Sequence, residues 1–140
     1  TDNCDALLGF GASAIGRLAN GYVQNEVPPG LYARKVSSGE LPTAKGYSLT
    51  REDRLRADVI ERLMCDFSAD IPAISAAHGF PADFLLATNP GLRDMASDGL
   101  ISFADGTIRL DGAYRFLVRT VAATFDSYLA DSQRTFSKAA

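Results

Sequence analysis

A mainly α fold with one small β-hairpin is what this sequence predicts. Three observations carry that expectation: a helical stripe of apolar residues from Leu55 to Phe67, a switch to strand-like period on either side of Ala104-Asp105-Gly106, and a return to helical spacing from Phe116 to Leu129. At 140 residues the chain suits a single domain of ordinary size, and it falls well short of the roughly 250 residues of a complete (β/α) barrel. Hydrophobic residues make up 46% and charged residues 22%, so enough apolar surface is available to offset chain entropy, and a disordered chain is excluded.

The first element is the least regular. Leu7-Leu8-Gly9-Phe10-Gly11 reads as a buried strand turning into a loop that approaches another group closely. A lone strand leaves its backbone donors and acceptors unpaired, so residues 1–25 are expected to be a remnant from the edge of a larger sheet. Residues 26–49 carry Pro28-Pro29-Gly30, Ser37-Ser38-Gly39, Pro42 and Gly46, and read as a connecting segment with a short helix around Leu31 to Val36.

A domain is expected over residues 50–140. Thr50 caps a helix in which Leu55, Val59, Leu63 and Phe67 recur on one face, with Ile60 and Met64 widening the stripe. Asp70-Ile71-Pro72 starts a second helix that stops at Gly79, and Pro81 opens a third, interrupted at Asn89-Pro90-Gly91 and ending at Gly99. Leu100 to Phe103 and Thr107 to Leu110 then form a hairpin about the Asp105-Gly106 turn. Asp111-Gly112 precedes a last helix carrying Phe116, Leu117, Val121, Phe125 and Leu129. Three helices, a hairpin and a final helix predict a winged-helix-like C-terminal helical domain.

Such an order raises DNA binding, and charge argues against it. Residues 50–140 hold 10 basic side chains against 13 acidic ones, a net of −3. Phosphate contacts supply most non-specific affinity, and the third helix offers only Arg93 among Asp83, Asp94 and Asp98. A protein-binding or nucleic-acid-binding winged-helix module is therefore the alternative reading rather than the leading one. Arg51, Arg54, Arg56 and Arg62 alternate with Glu52, Asp53, Asp58 and Glu61 as a solvated helix face does. His78, the only histidine, precedes a helix-stopping glycine, where a cation stabilises the terminal carbonyls, and no partner nucleophile accompanies it. No catalytic residue is assigned. Cys4 and Cys65 are too far apart for a short-spaced metal-ligand pair, and no metal residue is assigned either. No run reaches the 18 or so apolar residues of a membrane span, and the acidic start is unlike a secretion signal, so a cytoplasmic protein is expected. Gly9-x-Gly11-x-x-x-x-Gly16 lacks the lysine and spacing of a phosphate loop.

The strings LLGFGASAIGRLANGYVQN, DVIERLMCDF, DGLISF and FLVRTVAATFDSYL, from residue 7 to residue 129, resemble the C-terminal region of oxygen-independent coproporphyrinogen III oxidase. That family comprises radical S-adenosylmethionine enzymes of haem biosynthesis, built on a partial (β/α) barrel with a mainly helical C-terminal domain. The resemblance implies a parent protein that oxidatively decarboxylates two propionates of coproporphyrinogen III to give protoporphyrinogen IX. It implies a 4Fe-4S cluster and S-adenosylmethionine in that parent, with neither expected on this stretch alone, because the family's CxxxCxxC motif is missing here. Residues 1–25 then become the barrel-edge remnant. Ile15, in the SAI of GFGASAIG, matches the family's isoleucine lining the S-adenosylmethionine site, with Gly11, Ser13 and Ala14 beside it. Tyr22, Gln24 and Asn25 fall in a recurring GYVQN stretch of unassigned role. The expected partners are the chain's own N-terminal barrel domain and coproporphyrinogen III, with self-association through the exposed strand edge, no nucleic acid and no membrane span. A relative diverted to haem chaperoning is the further alternative.

Overall fold

The structure, a computed structural model, describes residues 6–129, which divide into two compact units at Thr50/Arg51. In the first unit, β1 (Ile15–Leu18), β2 (Gly21–Asn25) and β3 (Thr43–Ser48) form an antiparallel sheet in the order β1-β2-β3, with α1 (Pro29–Ser37) inserted between β2 and β3. Ala19 and Asn20 link β1 to β2 as a two-residue turn, and the Leu49 N–H donates to the Asn20 carbonyl at 2.8 Å, closing that end of the sheet. Pro29 opens α1 at a position where a missing N–H costs nothing. The helix ends where Gly39 takes φ +77° and Glu40 N–H bonds back to the Lys35 carbonyl at 2.9 Å.

This arrangement corrects two expectations. The segment before Gly11 is not a strand: only Leu7 pairs, in an isolated bridge to Arg17. Residues 26–49 are also not a mere connection, because β3 hydrogen-bonds to β2 and completes the sheet that residues 1–25 were expected to lack. Of the Pro/Gly punctuation that suggested a broken segment, Pro28-Pro29-Gly30 and Ser37-Ser38-Gly39 mark the ends of α1, and Gly46 lies within β3.

The second unit opens with α2 (Arg51–Asp66), whose Leu55, Val59 and Leu63 are fully buried at the expected spacing. Next come β4 (Ser68–Asp70), α3 (Ile71–Ala77), α4 (Phe84–Ala87), α5 (Gly91–Ser97), β5 (Ser102–Ala104), β6 (Thr107–Arg109), a 3-10 turn over Gly112–Leu117 and α6 (Val118–Ala123). The Asp70 carboxylate accepts the Ala73 N–H at 2.9 Å and caps α3. The interruption at Asn89-Pro90-Gly91 separates α4 from α5, and Asp105 and Gly106 turn the hairpin with φ of +51° and +79°. A strand absent from the sequence reading, β4, pairs with β6, so the hairpin becomes a three-stranded antiparallel sheet ordered β4-β6-β5. The last helix is shorter than its apolar spacing suggested: a 3-10 turn replaces its first part, and α6 ends at Ala123.

One core joins these elements: Leu55, Val59 and Leu63 of α2 pack with Ile71, Leu85, Ile108, Val121 and Phe125, each at most 1% exposed. The chain thus combines helices with two small antiparallel sheets rather than one hairpin. No helix among the described residues is long and apolar enough to cross a membrane. Within α3 the Ser75 hydroxyl is fully buried with no hydrogen-bond partner. A buried hydroxyl left unpaired is a net cost, so Ser75→Ala is expected to raise the urea midpoint, by up to about 1 kcal/mol of stability. A lowered midpoint would show that the hydroxyl contributes favourably.

Candidate cofactor-binding site

In the first unit the glycine-rich stretch Gly9–Ala14 is a folded loop leading directly into β1. Gly11 at φ +100° and Ser13 at φ +61° turn it through left-handed backbone, a conformation disfavoured for serine. Its carbonyls are tied back by the end of β2. Asn25, 9% exposed, donates through Nδ2 to the carbonyls of Gly9 and Gly11, each at 3.0 Å, and through its backbone N–H to Ala14 at 2.9 Å. Gln24 Nε2 donates to the Ser13 carbonyl at 3.2 Å. On the donor side, Gly11 N–H bonds to Tyr32 Oη at 3.1 Å and Ser13 N–H to the Glu26 carbonyl at 2.8 Å. Close packing requires the glycines at both ends. A Cβ on Gly9 would lie 2.8 Å from the Ile15 carbonyl oxygen, and one on Gly16 would lie 2.9 Å from that of Leu7.

Ile15 is the first residue of β1, opposite Gln24, and is 56% exposed. An aliphatic side chain presented this openly, directly after a rigidly bonded loop, can pack against the face of a flat ring. Leu7, Leu8 and Phe10 are exposed as well, Phe10 at 86%. Among the described residues, this unit buries only Gly16, Gly21 and Asn25, and none of these is a large apolar side chain. Of the sequence-derived candidates, Gly11, Ser13 and Ala14 therefore lie on the loop, Ile15 at its exit, and Gln24 and Asn25 beneath it. The sequence reading left Asn25 without a role and missed the Tyr32 contact. A side-chain amide or hydroxyl that meets the backbone of a glycine-rich loop from far along the chain leaves no sequence pattern that would reveal it.

The second unit resolves the charged face of α2. Arg56 pairs with Glu52 through Nε at 2.8 Å and Nη2 at 2.6 Å, and Arg62 lies 3.5 Å from Asp58. His78 Nε2 sits 3.0 Å from Asp58 Oδ2, which ties the end of α3 to α2. The carbonyls at the α3 terminus are met by Arg51 instead: Nη2 donates to His78 O at 3.0 Å and to Gly79 O at 3.3 Å, while the guanidinium lies over the Phe80 ring. This is a packing constellation, since it holds no nucleophile. A cavity of about 440 Å³ between α4, α5 and β5 is lined by Leu86, Leu92, Ala96 and Phe103, with Asp83 and Arg93 also on its wall. Asn89, on the same wall, directs its Nδ2 to Thr124 O at 3.0 Å and Oγ1 at 2.9 Å. For a 4Fe-4S cluster the donor set does not fit: among the described residues no three His, Cys, Asp or Glu side chains gather, and Cys65 stands alone.

Residues 49–117 match the family model described as the HemN C-terminal domain. The chain is 49% identical over 139 residues to the oxygen-independent coproporphyrinogen III oxidase of Bradyrhizobium diazoefficiens, covering 99% of this chain and 31% of that protein. It is 38% identical to the oxygen-independent coproporphyrinogen III oxidase of Thermostichus vulcanus, covering 95% of this chain and 42% of that one. The solved structure of the coproporphyrinogen III oxidase HemN from Escherichia coli, a radical SAM enzyme, superposes with a TM-score of 0.79 at 32% identity, over 88% of this chain and 29% of that one. The chain spans about a third of the length of these relatives and aligns along nearly its whole extent. Over residues 49–117 it carries the HemN C-terminal domain, and along nearly its whole length it is similar to part of the oxygen-independent coproporphyrinogen III oxidases.

Proposed function

We propose that this chain is the C-terminal part of an enzyme that oxidatively decarboxylates coproporphyrinogen III to protoporphyrinogen IX by radical S-adenosylmethionine chemistry. The observation that carries the reading is the first unit: it is well hydrogen-bonded, yet Leu7, Leu8, Phe10, Ile15 and Leu41 are all exposed. Large apolar side chains exposed in this number on one small unit call for a partner, and the N-terminal barrel domain of the same protein is the one the family supplies. Residues 1–50 then belong with that barrel, and 51–140 form the C-terminal domain. Their element order of helix, strand, helices and hairpin, with β4 against β6, supports a winged-helix arrangement.

Ile15 would hold S-adenosylmethionine by packing on its adenine, and the backbone groups of Phe10 and Ala12, unbonded to other described residues, lie on the same loop. Bound beside a reduced cluster, S-adenosylmethionine supplies the oxidising radical chemistry. Within this chain the residues only bind and orient, and the cluster ligands come from elsewhere in the parent. Anaerobic incubation of the full-length protein with a reductant, S-adenosylmethionine and coproporphyrinogen III is expected to yield protoporphyrinogen IX and 5′-deoxyadenosine, whereas residues 1–140 alone yield neither. Full-length protein that is reconstituted with cluster and leaves the porphyrinogen unchanged would contradict the oxidase reading and favour a haem-handling relative.

A further inference from the structure

We infer that Asn25 is a positioning residue for the cofactor contact at Ile15, an inference that rests on the reading of Ile15 given above. One nitrogen of Asn25 carries two hydrogens, and the structure uses both, on the Gly9 and Gly11 carbonyls at 3.0 Å each. The residue's own backbone N–H takes the Ala14 carbonyl at 2.9 Å. Three carbonyls of one six-residue loop are thus fixed by a single residue that is 9% exposed. The last of them belongs to the residue directly before Ile15, so the bond at Ala14 sets the direction in which the chain enters β1.

The clamp is needed because the loop is not locally favourable. Gly11 and Ser13 both sit at positive φ, and the loop's carbonyl and amide groups would otherwise depend on water. Tyr32, reaching from α1, accepts the Gly11 N–H at 3.1 Å and holds the same glycine from its opposite side. No other side chain of this size provides two donors from one atom. Aspartate has the same shape with acceptors alone, and would face two carbonyl oxygens with negative charge. Glutamine carries the same two donors on a stem one methylene longer, which cannot fit the buried site without displacing the loop.

The test uses the anaerobically purified full-length protein carrying Asn25→Asp, Asn25→Ala, Tyr32→Phe or Ile15→Asp, with S-adenosylmethionine affinity measured by equilibrium dialysis in the absence of porphyrinogen. The Asn25 variants are expected to weaken binding about tenfold or more, and Tyr32→Phe less. In turnover, the KM for S-adenosylmethionine should rise while kcat at saturation stays within about twofold, because the clamp orients a binding contact and touches no reacting atom. Thermal melting of the second unit should be unchanged. Wild-type affinity in the Asn25 variants, alongside weakened binding by Ile15→Asp, would overturn the positioning role and leave the site reading intact. A fall in kcat without a change in KM would overturn it too. Wild-type affinity in Ile15→Asp would instead refute the underlying assignment. Should Asn25→Asp fail to fold because its charge faces the two carbonyls, Asn25→Ala, which removes the two side-chain donors without adding charge, carries the same test: weakened binding supports the clamp and unaltered binding overturns it.

Discussion

Phe125→Ala is expected to lower the stability of the second unit by about 3–5 kcal/mol, the range for emptying a fully buried aromatic site. Phe125 is 0% exposed and closes the core formed by Leu55, Val59 and Leu63 of α2 with Val121 of α6. Its carbonyl also accepts from Arg56 Nη1 at 3.2 Å, so the residue is held to α2 at both its side chain and its backbone. A domain of this size has a total stability of roughly 5–15 kcal/mol, and the loss would consume a large part of it. Thermal unfolding followed by far-UV circular dichroism should show the transition lowered by roughly 15–30 °C. A transition within about 3 °C of the wild type would mean that the core does not close on this ring.

Gly21→Ala should damage the other unit and leave this one unaffected. Gly21 lies at the start of β2, and a Cβ there would overlap the Tyr47 carbonyl oxygen of β3, an atom of backbone that cannot swing aside. Relief requires β3 to move away from β2, at a cost of about 1–3 kcal/mol. Hydrogen exchange at Tyr22–Gln24 and Lys45–Ser48 is then expected to quicken by about 10- to 100-fold, with the amides of α2 unaltered. Unchanged exchange in both strands would show that the sheet accommodates the methyl group and that glycine is not required there.

What the sequence discloses follows the range of the interactions involved. α2 was readable because its stripe repeats every three or four residues, and α3 because Asp70 caps it locally and Gly79 ends it at φ +73°. The Asp105-Gly106 turn was readable for the same reason. β4 escaped notice because three residues, Ser68 to Asp70, become a strand only by pairing with Thr107 to Arg109 almost 40 positions later. β3 escaped because Thr-Ala-Lys-Gly-Tyr-Ser is exposed at every position and carries no apolar alternation. The premature end of α6 is also a long-range effect. Asn89 takes the Thr124 carbonyl and Arg56 that of Phe125, so side chains from distant elements draw off the acceptors that a continuing helix would use. At the site, Ile15 was named through family resemblance, whereas the Asn25 clamp became visible only once Gly9 and Gly11 were placed against the end of β2.

The central claim is that the exposed apolar surface of the first unit is covered by the N-terminal domain of the same protein. Hydroxyl-radical footprinting of residues 1–140 and of the full-length protein, compared at Leu8, Phe10 and Leu41, addresses it directly. Heavy labelling of all three side chains in the shorter chain and strong protection in the full-length protein is the predicted result. Equal labelling in the two would contradict the account, because those side chains would then remain open to solvent in the full-length protein.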